Sequence, residues 1–194
     1  MLVRIAFLLP LLGLFLSGCA ESREQIISSG SRYVEADPAS STSDYRLDVG
    51  DKVRVTVFNE PTLSGEFAVN PNGSVSLPLI GEVPARGKTS GEIATQAEGI
   101  FGNGYLRDPK INVEVTTFRP FFILGEVKAP GQYPYTTGIN VLNAIATAQG
   151  YTPRARKSIV YIRRVGEVAE QPYEVTPSLR VYPGDTIRVG ERYF

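Results

Sequence analysis

The chain has no histidine, no tryptophan and a single cysteine among its 194 residues. Without histidine it lacks the commonest general base near neutral pH and the commonest zinc ligand. One thiol cannot close an internal disulfide, and without a histidine it has no partner for a Cys–His nucleophile pair. No metal ligand, no cofactor and no catalytic residue is assigned on these grounds. Excess charge is absent too: Lys and Arg number 20, Asp and Glu 20, and neither sign forms a long run. That balance gives no electrostatic footprint for nucleic acid. A carboxylate-only enzyme such as a glycosidase stays open, because it needs just two acids. Twenty acids permit such a pair without locating it. Tryptophan, the aromatic best suited to stacking, is missing; ten tyrosines could substitute, but Tyr is also common in strands that bind nothing.

What is present begins at the N-terminus. Residues 1–19 read MLVRIAFLLPLLGLFLSGC. One cation, Arg4, precedes an apolar run from Ile5 to Leu16, broken only by Pro10 and Gly13. The run is too short for a spanning helix, which needs about 20 apolar residues. A basic start, a short apolar stretch and small residues before a cut describe a signal peptide over residues 1–18. Leu16-Ser17-Gly18-Cys19 resembles the lipobox of bacterial lipoproteins. The resemblance implies cleavage between Gly18 and Cys19, a lipid on the Cys19 thiol and anchoring in a membrane. Ala20 in the next position implies the outer membrane. An ordinary signal peptide with an incidental cysteine is the plain alternative. Loss of the signal removes one cation and leaves 19 basic against 20 acidic residues.

Residues 20–43 are polar, small and interrupted by Pro38, the composition of a tether. Stretched, it would reach about 80 Å; as a coil, about 27 Å. From Tyr45 the pattern changes. Val53, Val55 and Val57 alternate with Arg54 and Thr56, the period of a half-buried strand. Phe67 and Val69 lead to Asn72-Gly73, a hairpin signal, after which Val75, Leu77 and Leu79 alternate up to Gly81. Thr89 and Glu92 have capping-box spacing, and Ile93, Ala97, Ile100 and Phe101 recur at helical spacing before Gly102 and Gly104. Ile111, Val113 and Val115 form a further strand. Arg119-Pro120 breaks the pattern, giving a first unit over 44–118 and a second over 119–194.

In the second unit, Phe121–Leu124 and Gln132–Tyr135 flank Pro130-Gly131 as a hairpin. Asn140 caps a helix expected over 141–149, with Val141, Leu142, Ile145 and Ala148 on its apolar face and Gly150 as its stop. Strands follow at 159–163 and 186–189, with a short one near 173–175. The fold class is α+β, and hairpin, helix, then strands is the order of a β-grasp. An echo links the units: Leu47-Asp48-Val49-Gly50-Asp51-Lys52-Val53-Arg54-Val55 lines up with Val181-Tyr182-Pro183-Gly184-Asp185-Thr186-Ile187-Arg188-Val189.

Residues 45–87 (YRLDVGDKVRVTVFNEPTLSGEFAVNPNGSVSLPLIGEVPARG) and 105–115 (YLRDPKINVEV) resemble the polysaccharide export domain of outer-membrane capsule and exopolysaccharide exporters. Residues 123–155 (ILGEVKAPGQYPYTTGINVLNAIATAQGYTPRA) resemble the soluble-ligand-binding β-grasp module that accompanies it. The resemblance implies a non-catalytic, lipid-anchored protein on the periplasmic face of the outer membrane. It also implies a homo-oligomeric ring through which polysaccharide passes from an inner-membrane chain-length regulator or copolymerase. Longer members add a second β-grasp module and a C-terminal membrane-crossing helix; the sequence stops at Phe194 without them. A short periplasmic conduit or adaptor beneath a separate outer-membrane β-barrel is therefore expected.

Individual residues admit two readings each. Gly50-Asp51 and Gly184-Asp185 are turn formers, or they aim charge at a polymer path. Arg154, Arg156 and Lys157 are solvated loop charges, or a grip for an acidic polymer or a neighbouring subunit. Tyr133, Tyr135 and Tyr151 are packing residues, or stacking platforms for sugars. No ligand-binding residue is singled out. Besides the ring-forming exporter, a monomeric lipid-anchored oligosaccharide-binding module and a small glycosidase are the competing readings.

Overall fold

The structure, a computed structural model, describes residues 45–192. The expected signal peptide, the expected cleavage and lipidation site at Gly18 and Cys19, and the expected tether lie outside the described residues. Within them the expected α+β class holds, with two helices and ten strands.

The first unit begins with β1 (Lys52–Val57), whose alternate valines are buried. It pairs antiparallel with β2 (Gly65–Ala68) on one side and β5 (Ile111–Thr117) on the other. A separate antiparallel ribbon holds β3 (Ser74–Leu77) and β4 (Gly81–Pro84). Helix α1 (Ser90–Gly102) starts where expected: Thr89 Oγ1 accepts from the Glu92 amide at 3.2 Å, and the Glu92 carboxylate accepts from the Thr89 amide at 2.8 Å. Its buried residues Ile93, Ala97 and Phe101 share one core with the β1 valines and with Val75, Leu77 and Val83. Burying a side chain as large as Phe101 contributes about 1.5–3 kcal/mol.

The second unit is a five-stranded mixed sheet in the order β7-β6-β10-β8-β9. The strands are β6 (Phe121–Gly125), β7 (Gly131–Tyr133), β8 (Ala155–Arg163), β9 (Gln171–Glu174) and β10 (Thr186–Glu191). Two antiparallel hairpins, β6–β7 and β8–β9, are joined by β10, which runs parallel to β6 and antiparallel to β8. Helix α2 (Val141–Thr147) shares a core with the inward residues Phe121, Ile123, Val160, Ile162 and Ile187. This is the β-grasp arrangement.

Several local expectations are corrected. At Asn72-Gly73 the chain does turn, and Gly73 takes φ of 85°. The flanking strands, however, share only one bridge, Val69 with Val75, before β3 leaves to pair with β4. Leu79 does not continue β3. It is exposed in the β3–β4 turn at φ of 64°, because Pro78 offers no amide to extend a ladder. Helix α2 ends at Thr147, two residues early, since Gln149 and Gly150 both adopt left-handed φ. Leu142, assigned to its apolar face, is exposed, and Ala144 takes the buried place. Strand β8 also begins four residues before the expected start.

Candidate functional site at the junction of the two units

The two echoed segments fold alike. Asp48 to Asp51 and Tyr182 to Asp185 each form a turn closed by the aspartate amide on the first residue's carbonyl, at 3.1 Å in both. The glycine at the third position has φ of 93° in one and 84° in the other, the conformation that a type II turn demands there. Each aspartate then folds back over its own turn. Asp51 Oδ2 accepts from the Asp48 amide at 2.8 Å, and Asp185 Oδ2 from the Tyr182 amide at 2.7 Å. Both side chains are fully buried. The strands β1 and β10 leave directly from these turns. The turn-forming reading of Gly50-Asp51 and Gly184-Asp185 is therefore correct. Neither carboxylate faces an open path.

A buried carboxylate needs partners to offset its lost hydration. Asp51 also accepts from the Tyr45 hydroxyl at 2.8 Å, the Arg119 amide at 2.7 Å and Arg119 Nη1 at 3.2 Å. Asp185 accepts from Arg164, whose guanidinium lies over the rings of Tyr182 and Tyr173 at 4.5 and 5.5 Å. Arg119 reaches further: its Nε donates to the Pro183 carbonyl at 3.2 Å, within the second turn. One guanidinium thus grips the echoed turns of both units. Backbone bonds within the second unit seat the residues that follow Arg119 on the second turn, from the Gly184 amide to Pro120 O and from the Phe122 amide to Asp185 O. Beside it, Phe118 packs against both cores. It meets Tyr45 and Tyr135 edge-on, at centroid distances of 4.8 and 5.4 Å.

The electrostatics follow from burial. Loss of water pushes the Asp185 carboxyl up to about 6, against the opposing pull of Arg164, the Tyr182 amide and Arg119. Burial also raises Asp51, although four donors oppose it, and burial beside Asp51 raises the Tyr45 hydroxyl. A raised carboxyl in a cleft would be a candidate general acid. Here both carboxylates are sealed from solvent, and the cluster joins the two units.

The remaining candidate residues fall elsewhere. Tyr133 stacks on Phe121 at 6.0 Å and its hydroxyl donates to Ala129 O; Tyr135 is buried; Tyr151 packs against the same core, its hydroxyl raised by burial. All three are packing residues. Arg154 is held by Glu191 at 2.6 Å, while Lys157 lies 5.9 Å from the Tyr151 ring, so the basic triplet is partly neutralised. Sequence reasoning missed Tyr45, Phe118, Arg119 and Arg164 as a constellation. The echo of the two Gly-Asp turns was the available signal, but nothing in the sequence brings the turns together in space.

The fold and joint define a class: an α+β unit welded to a β-grasp unit through paired Gly-Asp turns. Residues 39–116 match the family model described as polysaccharide biosynthesis/export protein, and residues 120–175 match the SLBB domain. The chain belongs to the polysaccharide export protein family. It is 38% identical to the exopolysaccharide production protein ExoF of Rhizobium meliloti (strain 1021), over 77% of this chain and 38% of that protein. It is 26% identical to the polysialic acid transport protein KpsD of Escherichia coli, over 77% of this chain and 28% of the relative. The chain spans about a third of the length of the curated relatives it matches.

Proposed function

We propose that this protein acts in polysaccharide export as a lipid-anchored, non-catalytic component of the envelope. Cys19 carries the anchor at the periplasmic face of the outer membrane, and several copies form a ring or adaptor conduit for the polymer. The observation that carries this reading is the joint. A guanidinium and an aromatic ring shared between two small folds hold them in one orientation, which a scaffold assembled from repeated copies requires. The two family matches and the similarity to ExoF and KpsD support the polysaccharide as cargo. Among the described residues no helix is long and apolar enough to cross a membrane. An inner-membrane chain-length regulator or copolymerase would deliver the polymer, and a separate β-barrel would complete the outer-membrane passage.

Deletion of the gene should abolish surface polymer, and wild-type protein should restore it. The Cys19→Ser variant should lose acylation by mass spectrometry and move from the outer-membrane fraction to the soluble periplasm. Mass determination on detergent-extracted protein separates the ring from a monomeric binding module. Unchanged surface polymer after deletion would refute the export role.

A further inference from the structure

From residue 129 to residue 153 no side chain carries a charge. About five or six charges would be usual in a stretch of that length. The segment includes β7, all of α2 and the loops on either side of them. Much of it faces outward: Pro134, Leu142, Asn143, Ala146, Thr147 and Gln149 are exposed. A solvent-facing helix surface normally carries charge. Depletion of charge instead marks the central part of a protein–protein contact.

On the opposite side of the same unit lies the sheet face that α2 does not cover. Phe122 and Leu124 of β6 are 39% and 44% exposed there. In-register pairing puts Arg188 beside Leu124 and Tyr161, and Thr186 beside Phe122 and Arg163. The Arg188 guanidinium lies 4.2 Å from the Tyr161 ring centroid and is matched by Glu170 at 2.7 Å. Phe, Tyr and Arg are the residue types that protein contacts favour.

We propose that the helix face of one copy docks on the open sheet face of the next. This inference rests on the ring reading above and names its interface. Charge favours a second copy as the occupant. The central cation of the sheet face is already neutralised within its own chain, so it can meet an uncharged surface without leaving a buried charge unpaired. A sugar polymer suits the helix face less well, because Tyr135 is buried and Tyr133 and Tyr151 pack against the core, so none offers a fully exposed ring. The two halves are different surfaces on opposite sides of one unit. The contact is therefore head-to-tail, and repetition closes a ring or extends a filament. A stable interface uses about 20–30 residues a side, more than α2 and its loops expose. The first unit, held rigidly by the joint, must supply the rest.

The test uses full-length lipidated protein extracted in mild detergent, sized by native mass spectrometry and light scattering. Leu124→Glu blocks the sheet half and Leu142→Glu the helix half. Both sites are already exposed, and circular dichroism with a denaturant melt checks the fold. Phe122→Gln and Asn143→Arg provide a second pair. Each variant alone should fall to the mass of one chain. An equimolar mixture of Leu124→Glu and Leu142→Glu should give a one-to-one dimer that grows no further, because one good half of the interface remains on each. If the wild type is multimeric and both variants stay so, this interface is wrong and the ring reading survives. A monomeric wild type would overturn the ring reading and this interface with it. Protection of the Leu142 surface by added polymer, but not by other copies, would overturn the second-copy assignment.

Discussion

Replacing Arg119 by alanine should destabilise the protein by about 3 kcal/mol. Removing one member of a buried ion pair costs about 3–5 kcal/mol, because the other charge stays behind without its counterion. Here the Asp51 side chain is fully buried and that of Arg119 is 16% exposed. Asp51 keeps three donors after the substitution, namely the Tyr45 hydroxyl and the amides of Asp48 and Arg119. That places the loss at the lower end of the range. The bond to the Pro183 carbonyl also disappears, so the second turn loses its tie to the residue that grips Asp51. At about 2–4 °C per kcal/mol for a chain of this size, the melting temperature should fall by about 6–12 °C. The calorimetric transition should broaden or split as the units uncouple. Arg54→Ala is the control: its pair with Glu66 is more than half exposed on both sides, so its loss should stay below about 1 kcal/mol. Lysine at position 119 keeps the charge but not the fork, and should recover only part of the loss. Equal melting temperatures for the Arg119→Ala and Arg54→Ala variants would refute the joint.

Other expectations can be checked on purified protein. The Asp185 carboxyl sits at about 6 in the fold against an ordinary value near 3.9 when unfolded. Between those values the folded chain holds a proton that the unfolded chain has released. The contribution of Asp185 therefore falls by about 3 kcal/mol as pH rises from about 4 to 6, and is flat above. The difference in unfolding free energy between wild type and Asp185→Asn, measured in urea across that range, should carry this step; a flat difference would exclude it. Gly125 has φ of +83°, and a Cβ there would lie 2.1 Å from the Val189 carbonyl oxygen. Gly125→Ala should force β6 from β10 and cost more than about 4 kcal/mol, seen as loss of amide-exchange protection in the second sheet. Thr89→Ala removes one half of the capping box and should cost about 1 kcal/mol, measured by denaturant melt followed at 222 nm.

Most of the element order was legible because burial writes a period into the chain. The alternation at Val53, Val55 and Val57 and the spacing of Ile93, Ala97 and Phe101 each match one buried face. The capping box was legible atom for atom, since its bonds span only three residues. Leu142 was misplaced because helical spacing alone does not say where the apolar stripe ends. Its neighbour Ala144, too small to stand out, proved to be the inward residue. Strand partners were harder still. Asn72-Gly73 predicted a turn correctly and a hairpin ladder incorrectly, because the choice of β4 over β2 as partner for β3 is made by the core and not by the turn. The joint was least legible: Asp51 and Arg119 lie 68 positions apart, and their meeting depends on both units having folded.

The middle of the second sheet has a consequence for assembly. Two hairpins form from neighbouring stretches of chain, yet each keeps an unsatisfied edge until β10 slots between them. That strand lies more than sixty residues after the one it runs alongside, so closure is a late, long-range event with a high entropic barrier. A chain halted before Thr186 would present two bare ribbons, each ready to pair with a stranger. Quality control of a nascent or truncated product should therefore focus on this gap.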